Sequence, residues 1–157
     1  MATDEAKKMN LIRMLDLSLE VLAEEVYDTL GDSALVLSKG MGDAILEMME
    51  KEEGLEIAGE NPGVIGKEID RILVDEFGFA KEIGLDIDPN GVAVMKVNGC
   101  INTAFTDKML AKGLKMNYVC PVMLVASATL RQMGYKGRVK IERWPEGKGC
   151  QITFIPA

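Results

Sequence analysis

The sequence contains no histidine. This absence excludes histidine-based acid–base catalysis, the Ser-His-Asp triad, a histidine-ligated haem and histidine-bearing zinc sites. Glycine-rich phosphate loops of the Walker or dinucleotide-binding kind are absent too. The glycines of Ser38–Gly42 fall inside a helical pattern instead. These absences favour a non-catalytic protein over an enzyme.

Cysteines are few, and none of the three belongs to a CxxC motif. An odd number of thiols cannot pair completely within one chain. Residues 1–10 are polar and do not resemble a secretory signal. No apolar run reaches the ~20 residues that a membrane-spanning helix needs. We therefore expect a cytoplasmic protein without a membrane span, with free or metal-bound thiols.

Aromatic residues are scarce at 5%, and the net charge is −7. Residues 1–90 hold 8 basic and 22 acidic side chains, whereas residues 91–157 hold 10 basic and 3 acidic ones. An acidic chain with few aromatics for base stacking is a poor ligand for nucleic acid, so we expect no such partner. The asymmetry indicates either two halves that attract each other, within one chain or across a homodimer, or an anion site in the second half.

The first part of the chain has helical periodicity. Apolar residues recur at steps of three and four over residues 4–30, between a capping Thr3 and Gly31. A second helix is predicted from Ser33 to about Glu53, and a third from Asn61-Pro62. Gly40 and Gly42 fall inside the second helix, where helix packing, or the close approach of another backbone or of a ligand, would explain them. The buried face of the third helix is predicted to comprise Ile65, Ile69, Ile72, Leu73 and Phe77, with Gly78 and Gly84 at its far end.

The second part has the patterns of an antiparallel sheet. Asp86–Gly91 is a strong turn signal. Predicted strands follow at Val92–Val97, Arg138–Trp144 and Cys150–Pro156, and predicted helices at Thr103–Lys112 and Cys120–Met133. Asn98-Gly99 predicts a hairpin that returns through Cys100 and Ile101, and residues 145–149 predict a turn. We expect one α+β domain over residues 1–157, helical in 1–85 and sheet-containing in 86–157.

The three cysteines all lie where predicted elements begin or end. Cys100 follows a turn, Cys120 opens a helix and Cys150 opens the last strand. Such ends can meet at one edge of a sheet. Three readings stay open: a metal or cluster site at Cys100, Cys120 and Cys150, one reactive thiol, or small buried hydrophobes. Cys120, at a helix N-terminus, is expected to be the most reactive.

The residues from Val92 to Phe154 resemble the 4-vinyl reductase domain, a small-molecule-binding family. The resemblance rests on Val97-Asn98 ending a strand, Cys120-Pro121 opening a helix, the spacing from Leu130 to Gly134, and the strands that carry Glu142 and Cys150. The helix with Gly40 and Gly42 resembles the family's glycine-bearing helix. This sequence departs from the pattern after Glu142, where Trp144-Pro145 replaces an expected cysteine.

The resemblance implies a fold shared with haem–nitric-oxide-binding domains and with a vesicle-tethering subunit whose cavity holds an acyl chain. It implies helices packed on one antiparallel sheet, a buried ligand cavity and often a dimer. The missing cysteine and the absence of histidine weaken the case for a family metal or haem in this chain.

We therefore expect a small-molecule binding or sensing domain for an apolar, hydrocarbon-like or amphipathic ligand, present as a homodimer. The alternatives are a cysteine-ligated metal or iron–sulfur accessory protein and a structural adaptor. Eleven methionines fit a soft pocket between helices and sheet. The predicted ligand-binding residues are Met41, Ile45, Met95, Cys120, Met123, Cys150 and Phe154.

Overall fold

The computed structural model describes residues 2–59, 61–144 and 149–156. They form the predicted α+β fold, with a four-stranded antiparallel sheet in the second part of the chain. The chain divides into two compact units, one up to Ala34 and one from Leu35 onward. None of the helices among these residues is long and apolar enough to cross a membrane. One domain over residues 1–157 stays a prediction.

The first unit is essentially one helix. Helix α1 spans Asp4–Leu30, as predicted; the Thr3 side chain accepts a hydrogen bond from the Ala6 amide, and Gly31 ends the helix at a φ of 56°. A glycine suits this position because a side chain would be strained there. A 3₁₀ segment then runs over Gly31–Val36.

The second unit contains the remaining helices and the sheet. Helix α2 begins at Leu37, not at Ser33 as predicted, because the 3₁₀ segment precedes it. Asn61 caps α3 as predicted, accepting a hydrogen bond from the Val64 amide. The elements are α2 (Leu37–Glu52), α3 (Pro62–Asp70) continuing as a π-helix (Arg71–Glu76), β1 (Glu82–Ile87), β2 (Ala93–Asn98), α4 (Thr103–Ala111), α5 (Pro121–Gln132), β3 (Gly137–Trp144) and β4 (Gly149–Pro156).

The sheet has the strand order β1-β2-β4-β3, with every neighbouring pair antiparallel. Met95 of β2 and Ile141 of β3 both lie opposite Ile152 of β4. The side chains of all three residues are buried, so one face of the sheet lies against the core. Strand β4 alternates as predicted, with Cys150, Ile152 and Phe154 buried.

Helix α5 is the centre of the core, and every residue from Val122 to Leu130 is buried. Helix α2 packs closely on it at Gly42. A Cβ on Gly42 would lie 2.7 Å from the Leu124 carbonyl oxygen and 3.3 Å from the Ala128 Cβ, whereas nothing lies within 4 Å of such an atom on Gly40. The close packing of the two helices therefore explains Gly42, as the sequence analysis predicted. It does not explain Gly40.

Strand β1 was not predicted. Because of it, the sheet begins at Glu82, whereas the sequence predicted that the sheet-containing part begins at residue 86. Gly84 lies inside this strand instead of ending the third helix. The turn follows Ile87, where the Asp88 carboxylate accepts hydrogen bonds from the Asn90 and Val92 amides. Phe77, predicted to be buried, is 44% exposed because the π-helix shifts the register of side chains after Asp70.

The predicted hairpin at Asn98-Gly99 is wrong. The chain passes from β2 through a turn directly into α4, and the partners of β2 are β1 and β4. Gly99 has a φ of 66°, so the prediction of a turn at this glycine is correct. The prediction that a strand follows the turn is wrong, because a helix follows it. Of the predicted turn at residues 145–149, residues 145–148 lie outside the described residues.

Candidate functional site

A cleft of about 700 Å³ lies where α2, the end of α5, the start of β3 and the end of β4 come together. Its lining is mostly apolar, with Leu130, Tyr135, Val139 and Phe154 among the contributing residues. A volume of this size accommodates a molecule of the size of a metabolite or a short acyl chain. All of the lining residues belong to the second unit.

The chain reversal after α5 brings several cleft residues together. Gly134 has a φ of 87°, which lets the chain leave the helix sharply. The Gly134 amide donates to the Arg131 carbonyl at 2.9 Å, and the Tyr135 amide donates to the Leu130 carbonyl at 3.0 Å. This helix end places the last turn of α5 beside the first residues of β3.

Basic side chains outnumber acidic ones around the cleft. Lys39, Arg131, Lys136 and Arg138 contribute to its lining, and Asp43 supplies the one carboxylate among the lining residues that the structure describes. Arg131 Nη2 donates to Asp43 Oδ1 at 2.7 Å and to the Lys39 carbonyl at 3.2 Å. The cleft therefore combines an apolar lining with an excess of positive charge.

The three cysteines border a second, much smaller cavity of about 10 Å³. Cys120 caps α5, Cys150 lies opposite Val97 in the sheet, and Cys100 follows β2. The sequence predicted that the three cysteines can meet because each lies at the beginning or end of an element. In the structure, all three border the same cavity. All three are free thiols and all are buried. The space is about that of one water molecule or less, so it does not accommodate an organic ligand.

Burial raises the pKa of the Cys120 thiol to about 12, and the amides of Met123 and Val122 lower it by less. Burial also raises the pKa values of Cys100 and Cys150, although the nearby Arg143 opposes the shift in both. The raised pKa of Cys120 argues against the expectation that it is the most reactive thiol, because loss of hydration outweighs the helix N-terminus.

Arg143 links the cysteine cavity to the protein surface. Its Nη1 lies 3.4 Å from the Cys150 sulfur, and its Nε donates to Asp107 Oδ1 at 2.9 Å. This pair is partly exposed on β3 and α4. Arg143 is therefore a cationic neighbour of Cys150. No contact among the described residues joins Arg143 to Cys120.

The donor set around the small cavity does not fit a thiolate metal centre. A structural zinc or iron–sulfur centre commonly has four ligands, and the cavity has three thiols with valines, isoleucines and a threonine around them. Across residues 2–59, 61–144 and 149–156, no group of three His, Cys, Asp or Glu side chains could hold a metal ion.

The predicted ligand-binding residues are distributed over three places. Cys120 and Cys150 border the small cavity, and Phe154 contributes to the large cleft. Met95 and Met123 are fully buried in the core, and Met41 and Ile45 are half-buried against it. The structure therefore does not gather these seven residues at one cavity, and ligand binding by them stays a prediction.

Sequence reasoning did not single out Tyr135 or Arg131 as site residues. The available signal was the excess of basic residues after residue 91, together with Gly134, which marks the end of a helix. Lys39 carried no such signal, because it comes from the acidic part of the chain and reaches the cleft only through the packing of α2 on α5.

Comparison with protein-family models matches residues 10–156 to a family described as "Putative rubredoxin C-terminal domain". The match covers almost the whole chain and both compact units. The comparison with curated proteins gives no match.

Proposed function

The chain belongs to the Putative rubredoxin C-terminal domain family, and we propose that it is a non-catalytic binding domain for a small apolar or amphipathic molecule. The observation that carries this proposal is the cleft of about 700 Å³ at the end of α5. Small-molecule sites are commonly concave and mostly apolar, with a few polar groups that orient the ligand.

The composition of the cleft supports the proposal. Leu130 and Phe154 are buried core residues that also border the cleft, so its apolar lining is continuous with the core. Tyr135 and Val139 are half-buried and complete it. A ligand that covered these groups would remove apolar surface from water, which favours binding by about 25 cal/mol for each Å² buried.

The resemblance of residues 92–154 to the 4-vinyl reductase domain supports the same class of function. The cleft differs from the pocket that the sequence predicted, since Phe154 alone is common to the two sets of residues. We propose a cytoplasmic location, which the three free thiols support because they suit a reducing compartment.

Fluorescence titration with N-phenyl-1-naphthylamine, a neutral apolar dye, tests the proposal. We expect one saturable site per chain in the wild type. Val139→Trp should fill part of the cleft and weaken binding, whereas Lys140→Trp, at the next, exposed position of β3, should leave it unchanged. Circular dichroism would confirm that both variants are folded. Absence of saturable binding in the wild type would overturn the proposal.

We also propose that the protein is a homodimer that associates through α1. Helix α1 is a single element that cannot bury its own apolar residues, and many of its large apolar side chains are exposed. Within it, Ile12, Leu15, Leu19, Leu22 and Val26 follow steps of three and four residues, the spacing of a coiled-coil seam.

A metal or iron–sulfur accessory role is the alternative that the sequence predicted, and the fold brings Cys100, Cys120 and Cys150 to one cavity without a fourth ligand among its described lining residues. Elemental analysis of the purified protein distinguishes the two functions. A stoichiometric metal that disappears in each of the three single Cys→Ser variants would favour the accessory role. The small-molecule proposal predicts metal-free protein.

A further inference from the structure

We infer that the cleft at the end of α5 selects amphipathic anions, with the basic side chains binding the anionic head and the apolar lining binding the body of the molecule. The inference rests on the proposed function and adds the chemical class of the ligand. In this inference, the anionic head group is bound by four residues, Lys39, Arg131, Lys136 and Arg138. Asp43 competes with the head group for Arg131.

The first argument is charge. Within the described part of the chain, four cationic side chains and one carboxylate contribute to the lining of this cleft, whereas the net charge of the full sequence is −7. A local excess of positive charge within an acidic protein raises the concentration of anions at that place and repels cations. Three of the four cations come from the basic part of the chain after residue 91, and Lys39 joins them from the acidic part.

The second argument is the geometry of Arg131. Both of its hydrogen bonds, to Asp43 and to the Lys39 carbonyl, come from Nη2. The N–H groups of Nε and Nη1 have no partner among the described residues. A guanidinium presents its donors as a planar fork that matches the two oxygens of a carboxylate, phosphate or sulfonate. Arg131 can therefore keep its contact with α2 and still bind an oxyanion.

The third argument is the division of the lining into two kinds of surface. Lys39, Lys136 and Arg138 are exposed, and Arg131 is partly exposed, whereas Leu130 and Phe154 are buried. A ligand with a charged end and an apolar body can satisfy both surfaces at once. A small inorganic anion would leave the apolar lining uncovered, and a hydrocarbon would leave the cations without a new partner.

Asp43 acts against the head group in this arrangement. Its carboxylate neutralises part of the Arg131 charge at 2.7 Å and would repel an oxyanion bound nearby. Replacing it by asparagine keeps the size of the side chain and removes the charge. This change should therefore strengthen anion binding, whereas removal of a cation should weaken it. General damage to the fold would weaken binding in both cases, so the two changes together identify a charge effect.

Two dyes that share one aromatic skeleton test the inference. They are N-phenyl-1-naphthylamine and its sulfonate, 1-anilinonaphthalene-8-sulfonate. At low ionic strength, we expect the sulfonate to bind the wild type about tenfold more tightly than the neutral dye. The difference should shrink as salt is added, because salt screens exposed charges.

Three variants complete the experiment. We expect Lys136→Gln to weaken sulfonate binding about threefold and Asp43→Asn to strengthen it by a similar factor, with neutral-dye binding unchanged in both. Lys67→Gln is the matched control, since it removes an exposed lysine from α3, which packs on β1 at the opposite edge of the sheet.

Each outcome decides the question. Equal affinity for the two dyes in the wild type, or equal effects of Lys136→Gln and Lys67→Gln, would overturn the inference and leave the proposed function standing. Failure of both dyes to bind would overturn both. Binding of the sulfonate alone would also overturn both, because the apolar lining would then contribute no measurable affinity for the body of the molecule.

Discussion

Cys120 shows how its surroundings set the chemistry of a single residue. The sequence places it at a helix N-terminus, which lowers the energy of a thiolate. The structure buries it among apolar side chains, and burial raises its pKa to about 12. The helix end was predictable from Pro121 and the spacing of the helix. The burial was not, because it depends on how the sheet packs against α5.

The raised pKa of Cys120 predicts a loss of stability at alkaline pH. The ordinary pKa of a thiol is 9.0, and burial raises the pKa of Cys120 to about 12 in the folded chain. Between these values the unfolded state binds fewer protons than the folded state. The free energy of unfolding should therefore fall as pH rises, by up to about 1.4 kcal/mol per unit from this residue. Urea titrations at several pH values above 8 would measure the slope, and Cys120→Ala should make it shallower.

Thiol labelling gives an independent prediction at the same scale. We expect Cys150 to react with iodoacetamide faster than Cys120, because Arg143 lies 3.4 Å from its sulfur and favours the thiolate. Arg143→Gln should slow labelling of Cys150 and leave Cys120 unchanged. Mass spectrometry of peptides after timed labelling would measure both rates. Faster labelling of Cys120 than of Cys150 would contradict this prediction.

At the scale of elements, helices were predicted better than strands. The long apolar periodicity of α1 and the caps at Thr3 and Asn61 are local signals, and these ends lie where the sequence predicted them. Strand β1 is short and has Gly84 in its middle, and it is held partly by a distant contact, from the Ile83 amide to Asp70 Oδ1 at 2.7 Å. No local pattern could reveal that contact.

Two glycines of α2 offer a matched pair of predictions about packing. Gly40→Ala should stabilise the protein by about 0.5–1 kcal/mol, since the helix gains propensity and a Cβ meets nothing within 4 Å. Gly42→Ala should destabilise it by about 1–3 kcal/mol, because the Cβ would lie 2.7 Å from the Leu124 carbonyl oxygen and separate α2 from α5. Chemical denaturation would give both values. Equal effects of the two changes would mean that α2 does not pack on α5 as described.

At the scale of the whole molecule, the cleft itself could not be predicted from the sequence. Its residues come from α2, α5, β3 and β4, and the sequence separates Lys39 from Phe154 by most of the chain. The excess of positive charge after residue 91 predicted that an anion site was possible. The position of the site follows only from the packing of α2 on α5 and from the helix end at Gly134.

Self-association is a second prediction at this scale. We expect sedimentation to give about twice the chain mass of 17.1 kDa. Leu15→Glu and Leu22→Glu, at exposed positions of α1, should shift the protein to a monomer, because each places a charge in the apolar seam. Ile101→Glu, an exposed position outside α1, is the control and should not change the mass. A wild type that stays monomeric at high concentration would contradict the proposed dimer.

The binding of a small molecule in the cleft is the central claim, and chemical-shift mapping tests it most directly. Amide resonances of the isotope-labelled protein would be followed during titration with N-phenyl-1-naphthylamine. The account predicts saturable shifts concentrated at the end of α5, the start of β3 and the end of β4, around Leu130, Tyr135 and Val139, with little change near Cys100. Shifts confined to other surfaces, or no saturable shifts at all, would contradict it.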